Sequence, residues 1–151
     1  MDIDTPIITP DYLIIVSCGS AKVDYKTQAR HLYVGGLFTL ALKYALTQVD
    51  EKQIRIMSAK HGLLKLDDLV EPYKLRMGRP GSIVADKVKS QARQQGIDLA
   101  PKVIVFGGLD YYNLCKEIWP HAIRITEGKR FGQIMKVYSD LIKEHNNVPL
   151  N

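Results

Sequence analysis

Tyr12-Leu13-Ile14-Ile15-Val16-Ser17 is apolar up to its last residue and is closed at once by Cys18-Gly19-Ser20. A strand with one solvated face alternates apolar and polar residues, whereas an unbroken apolar run of this length is the pattern of a strand covered on both faces. Such a strand needs helices above and below it, and the rest of the chain supplies them. After the Gly35-Gly36 pair, Leu37, Leu40, Ala41, Tyr44 and Ala45 mark one face of a helix running to Val49. Ile54 to Ser58 reads as a second strand. Ala59 to Gly81 is polar, carries Pro72, Gly78, Pro80 and Gly81, and reads as a long functional loop with a short helical turn.

Ser82 is placed to cap a helix reaching about Gln95, with Val84, Val88 and Ala92 on one face and Gly96 as its stop. Val103 to Phe106 is a third strand, Leu109 to Ile118 a helix that ends before Pro120, and Ala122 to Thr126 a fourth strand. The last helix spans about Phe131 to Glu144, with Phe131, Ile134, Met135, Tyr138, Leu141 and Ile142 along one face. Strands alternating with helices predict an α/β, Rossmann-like three-layer domain with a mostly parallel sheet of about four strands and helices on both faces. Its 151 residues, 46% hydrophobic and 25% charged, suit one domain that buries its own core, with residues 1–10 and 146–151 as flexible ends.

In open parallel sheets ligands bind outside the carboxyl ends of the strands. Three polar loops directly follow strands and therefore share that edge. The first, Ser17 to Lys22, joins Cys18, Gly19 and Ser20 to Lys22: small residues let backbone N–H groups approach an anion that lysine neutralises, unless the segment is only a tight turn. The second offers Ser58, Lys60 and His61 within four positions. His61 is the best general acid or base in the chain, its alternative being a structural histidine satisfied by a carbonyl. In the third, Gly107 and Gly108 permit close backbone approach, Asp110 either caps the following helix or acts on a ligand, Tyr111 or Tyr112 is able to stack a base or fill the core, and Glu127, Lys129 and Arg130 after the fourth strand are placed to complete the same rim.

Between these loops lie Asp67, Asp68 and Glu71, then Pro72-Tyr73, then Lys74, Arg76 and Arg79. Glu71 beside an anion site is placed to orient a sugar or base, and Tyr73 to line the ligand. The same charges also suit a solvated loop, the simpler reading for Asp67. With Lys87, Lys89 and Arg93 the segment is the densest basic stretch, a plausible phosphate-backbone surface. A net charge of +5 points the same way, toward nucleotides or nucleic acid.

Cys18 and Cys115 form neither a disulfide framework nor a zinc site by themselves, so reduced thiols are expected, with no metal and no cofactor. The acidic start and the lack of a long apolar run point to a cytoplasmic protein that engages no membrane.

Met57-Ser58-Ala59-Lys60-His61-Gly62-Leu63-Leu64, with Leu66-Asp67-Asp68-Leu69-Val70-Glu71-Pro72-Tyr73-Lys74-Leu75-Arg76-Met77-Gly78 after it, resembles the signature of the YaaA-like peroxide-stress family. Ser20-Ala21-Lys22 partly matches that family's first turn, and Asp110-Tyr111 its later acid-tyrosine pair. The turn Cys18-Gly19-Ser20-Ala21-Lys22 is more similar to short uncharacterised phage and bacterial relatives that pair Cys-Gly-x-x-Lys with Ser-Ala-Lys-His-Gly. The YaaA resemblance implies DNA binding and a role in oxidative stress, although its members are much longer and differ at Cys18 and His61.

Two functions follow as expectations. In one, the chain is an enzyme acting on nucleotides or nucleobases, at a glycosidic or phosphate-bearing centre. The loop Cys18 to Lys22 holds phosphate, His61 or Asp110 handles a proton, Glu71 orients the sugar or base, and a tyrosine stacks it. In the other, it is a non-catalytic DNA-binding module. A Cys-His nucleophile pair is a third idea.

Overall fold

The computed structural model describes residues 7–125 and 131–146. Its centre is β1 (Leu13–Ser17), flanked in parallel by β3 (Ile54–Ser58) and β6 (Val103–Phe106). Beyond β6 lies β7 (Ile123–Arg124), also parallel, and beyond β3 the antiparallel β4 (Gly62–Leu64), giving the order β4-β3-β1-β6-β7. A small antiparallel pair, β2 (Thr27–Gln28) and β5 (Leu69–Val70), stands apart from the main sheet.

Alternate residues of the central strands enter two separate cores, as a doubly covered sheet requires. Ile14, Val16, Ile54, Ile56, Ile104 and Phe106 pack with α1 (Ala29–Leu32), α2 (Gly36–Gln48) and α5 (Phe131–Asn146). Leu13, Ile15, Met57, Val103 and Val105 pack on the other face with α3 (Ala85–Gln94) and α4 (Leu109–Ile118). The three-layer α/β domain is therefore observed. Trp119, fully buried, closes the second core, and its indole N–H donates to the Ile97 carbonyl at 2.9 Å.

Several local expectations need correction. The sheet has five strands because Gly62–Leu64 folds back on β3 out of what reads as loop. Ser82 does not cap α3. Its Oγ accepts the Gly78 N–H at 3.2 Å in the preceding turn, and Val84 occupies the N-cap position without a side-chain bond. Asp110 does not cap α4 either, since Gly108 is its N-cap and Asp110 lies inside the first turn. At the ends, Ile8 is buried in the first core and α5 runs to Asn146. Residues 1–6 and 147–151, Thr126, and the side chains of Phe131, Ile134 and Met135 lie outside the described residues.

Candidate functional site

β1 is where the chain order turns: β3 is added on one side of it and β6 on the other. At such a point the loops leaving adjacent strands diverge and open a crevice. Here they are the segments after Ser17 and after Phe106. They start in close contact, with Ser17 Oγ donating to the Phe106 carbonyl at 3.3 Å. Gly107 must be glycine for that contact, because a Cβ there would collide with the Ser17 side chain. Arg124 Nε donates to the Gly107 carbonyl at 2.8 Å and fixes the third loop from β7.

At the crevice floor the sequence brings one thiol and three phenols together. Cys18, 8% exposed, places Sγ 3.2 Å from Tyr111 Oη and accepts from Tyr73 Oη at 3.7 Å. Tyr73 Oη is also 2.6 Å from Tyr33 Oη and 2.6 Å from Ser58 Oγ. Ser58, itself buried, accepts the backbone N–H groups of Lys60 at 3.2 Å and His61 at 3.0 Å. A single hydroxyl thus ties the first loop, the second loop and the segment around Tyr73 to one another. The His61 ring meets the Tyr73 ring edge to face at 5.3 Å, and Lys22 Nζ lies 4.4 Å from the Tyr73 ring centre.

The surroundings bias the three phenols, Lys22 and His61 toward their neutral forms. Burial pushes the Tyr33 phenol up to about 12, with the Cys18 charge acting in the same direction. Burial and then Cys18 likewise raise Tyr73 and Tyr111. Burial lowers Lys22, opposed by Cys18. His61 is lowered by burial first and then by Lys60 and Lys87.

Above this floor are two adjoining cavities. One, about 280 Å³, is lined by Gly19, Ser20, Gly108, Asp110 and Tyr111 on the sheet side and Leu75, Arg76 and Met77 opposite. The other, about 390 Å³, is lined by Lys22, Tyr73, Lys74 and Arg79 and shares Ser20, Leu75 and Arg76 with the first. Cations therefore cluster at one end and the Asp110 carboxylate stands at the other.

Of the residues singled out from sequence, Cys18, Gly19, Ser20, Lys22, Ser58, Tyr73, Gly107, Gly108, Asp110 and Tyr111 come together at the floor and walls. Lys74, Arg76 and Arg79 line the second cavity with Lys22 and Tyr73. His61 sits at the edge through Tyr73, and Lys60 is exposed with Nζ 5.9 Å from the Tyr73 ring. Glu71 is exposed and lines neither cavity. Lys87 and Lys89 lie on α3, away from the cavity linings. Asp67 pairs with Arg30 at 2.9 Å, and Glu127, Lys129 and Arg130 lie outside the described residues.

Tyr33 was missed. It stands in Arg30-His31-Leu32-Tyr33, a stretch without motif, and its bridge to Lys22 and the contact of its hydroxyl with Tyr73 bring it to the site. Leu75 and Met77 were also passed over, because alternate apolar residues in a basic segment mark a wall only once the segment is known to cross the crevice.

Among the described residues no cluster of His, Cys, Asp and Glu suits a metal ion, and no helix is long and apolar enough to cross a membrane. The chain is similar to the uncharacterised protein YfjM of Bacillus subtilis (strain 168), at 25% identity over 153 residues, covering 90% of this chain and 98% of that protein. Residues 13–140, from the start of β1 into α5, match a family of unknown function, DUF6884, and the chain belongs to that family.

Proposed function

We propose that the crevice binds a nucleotide and that the protein is an enzyme acting on it at a glycosidic or phosphate-bearing centre. The observation that carries this reading is the polarity of the two joined cavities: Lys22, Lys74 and Arg79 at one end, Asp110 and Tyr111 at the other, and Arg76 shared between them. A phosphate suits the cationic end. A carboxylate accepts hydrogen bonds from sugar hydroxyls or an exocyclic amine, and the half-buried faces of Tyr73 and Tyr111 offer apolar surface to sugar or base. His61 and Asp110 are the groups able to handle a proton at the rim.

The test is calorimetric titration with nucleoside mono-, di- and triphosphates, nucleosides and inorganic phosphate. Wild type should bind a phosphorylated member, and Lys22→Ala should lose about 1.5–3 kcal/mol of affinity, the magnitude of a hydrogen bond to a charged group. Equal affinities in the two proteins would remove the phosphate from this end.

A non-catalytic DNA-binding module is the second reading, supported by the basic segment from Lys74 to Arg93 and by the YaaA-like resemblance. It requires Lys87 and Lys89 to contribute as much as Arg76 and Arg79, and an affinity that falls steeply with salt.

A further inference from the structure

At the edge of the sheet opposite the crevice, where β3 begins and β4 ends, lies a separate cavity of about 320 Å³. Its lining includes Arg55, which is 6% exposed and is the one buried charged side chain among the described residues. Every N–H of a guanidinium donates and the group has no acceptor, so the directions of its hydrogen bonds are fixed. Nε donates to Gln95 Oε1 at 2.6 Å, and Nη1 donates to the carbonyls of Lys52 and Ile54, each at 2.9 Å. That leaves both N–H groups of Nη2, which have no partner among the described residues. Among those residues the Tyr138 hydroxyl is the only sealed side-chain polar atom without a partner, so Nη2 is not sealed: it opens on the cavity that Arg55 lines.

Charge gives a second observation. Taking a guanidinium out of water is costly unless it is paired, yet Arg55 forms no ion pair among the described residues. Burial pushes its pKa below the ordinary arginine range, and Asp68 opposes that shift through charge alone. The other two carboxylates of the lining are already taken: Arg30 places Nη1 and Nη2 on the two Glu51 oxygens at 2.9 and 2.8 Å, and Nε on Asp67 Oδ1 at 2.9 Å. Half-buried Asp68 accepts the Lys65 N–H at 2.8 Å on Oδ2, while its Oδ1 has no partner among the described residues. The cavity thus presents open cationic donors on a buried floor and an open carboxylate oxygen on its wall, beyond ion-pair distance of each other.

We propose that this cavity binds a small zwitterion of the α-amino acid class, its carboxylate on Arg55 Nη2 and its ammonium on Asp68. The proposal is independent of the nucleotide reading of the crevice. An α-amino acid carries both charges on one carbon, so a single small molecule reaches the arginine and the aspartate together. A simple carboxylate meets Arg55 but leaves Asp68 unanswered and repelled, and a phosphate dianion is repelled more strongly by Glu51, Asp67 and Asp68 at once. The volume lies at the small end of the range for small-molecule pockets, about 300–1,000 Å³, which suits a single amino acid. Charge-assisted hydrogen bonds at both ends of the ligand supply the affinity, and the buried floor strengthens the one to Arg55.

The experiment titrates the full chain with each standard L-amino acid, and with acetate, methylammonium and inorganic phosphate, following the backbone amides and the Arg55 Nε–H by NMR. At least one amino acid should shift Arg55 and the amides of Lys65 to Asp68, and should bind about tenfold or more tighter than acetate or methylammonium, the equivalent of one charge-assisted hydrogen bond. Asp68→Asn keeps an oxygen for the Lys65 N–H and removes the charge. It should weaken that amino acid about tenfold and leave acetate no weaker. Arg55→Lys should abolish binding of both. Should Arg55→Lys fail to fold, the Asp68→Asn comparison decides alone. Acetate or phosphate binding as tightly as every amino acid overturns the proposal, as does an amino-acid affinity that Asp68→Asn leaves unchanged. No shift at these residues with any amino acid, or shifts that fall in the crevice instead, overturns it too. None of these results alters the nucleotide titration, which reads Lys22 at the opposite edge of the sheet.

Discussion

At the scale of single residues the site depends on Tyr73, whose oxygen meets Ser58, Tyr33 and Cys18 at once. Tyr73→Phe keeps the ring but strands the buried hydroxyls of Ser58 and Tyr33, which should cost about 1–3 kcal/mol of stability by denaturant unfolding. Lys22→Ala removes only a partly exposed cation above that ring, so its stability loss should stay below about 1 kcal/mol, in contrast to its effect on phosphate affinity. His61 adds a pH dependence. Its pKa is lower in the folded chain than the usual 6.5, so below that value the unfolded chain binds the extra proton first and the folded state loses stability. Thermal melts should fall as pH drops through 6.5, and His61→Gln should flatten that slope. Lys22, Ser58, His61 and Tyr73 were legible in sequence because each sits beside a strand end or a turn. Tyr33 was not, since its role comes from a contact 40 residues away.

Among the elements, the informative one is β4, the antiparallel edge that sequence patterning left inside a loop. Gly-Leu-Leu is too short to show a period, and what makes it a strand is the helix beside it. Gln91 on α3 donates from Nε2 to the His61 carbonyl at 2.8 Å and accepts the Leu63 N–H at 2.9 Å on Oε1. One turn on, Gln95 donates to the Leu63 carbonyl at 3.2 Å and accepts from Arg55 Nε at 2.6 Å. Two glutamines four residues apart thus clamp the hairpin that carries His61, a partnership that local propensity does not encode. The hairpin turns at Gly62, whose φ of 75° suits glycine, and a Cβ there would collide with Gln91 and Ile83. Gly62→Ala should therefore lower stability by about 1–3 kcal/mol and displace His61. A Gly62→Ala protein with wild-type melting would show that the clamp does not hold the second loop.

For the whole molecule, the layer order and the convergence of three loops were legible because they follow from topology: apolar runs alternating with amphipathic helices leave few sheet orders, and every parallel strand ends on one edge. What topology left open was the path of the segment from Glu71 to Ser82. It crosses the crevice and delivers Leu75, Arg76, Met77 and Arg79 to the walls of the two open cavities. On the proposed reading the crevice takes a single nucleotide with modest salt dependence, whereas a duplex-binding surface loses affinity with a slope set by the number of phosphates it neutralises. Arg76→Ala should accordingly weaken nucleotide binding more than Lys87→Ala or Lys89→Ala. The most direct measurement of the central claim is an amide chemical-shift titration of the protein with a nucleoside monophosphate. Perturbations should concentrate in Gly19 to Lys22, Tyr73 to Arg79 and Gly108 to Tyr111. Shifts confined to α3 around Lys87 and Lys89, or none with any nucleotide, would contradict it.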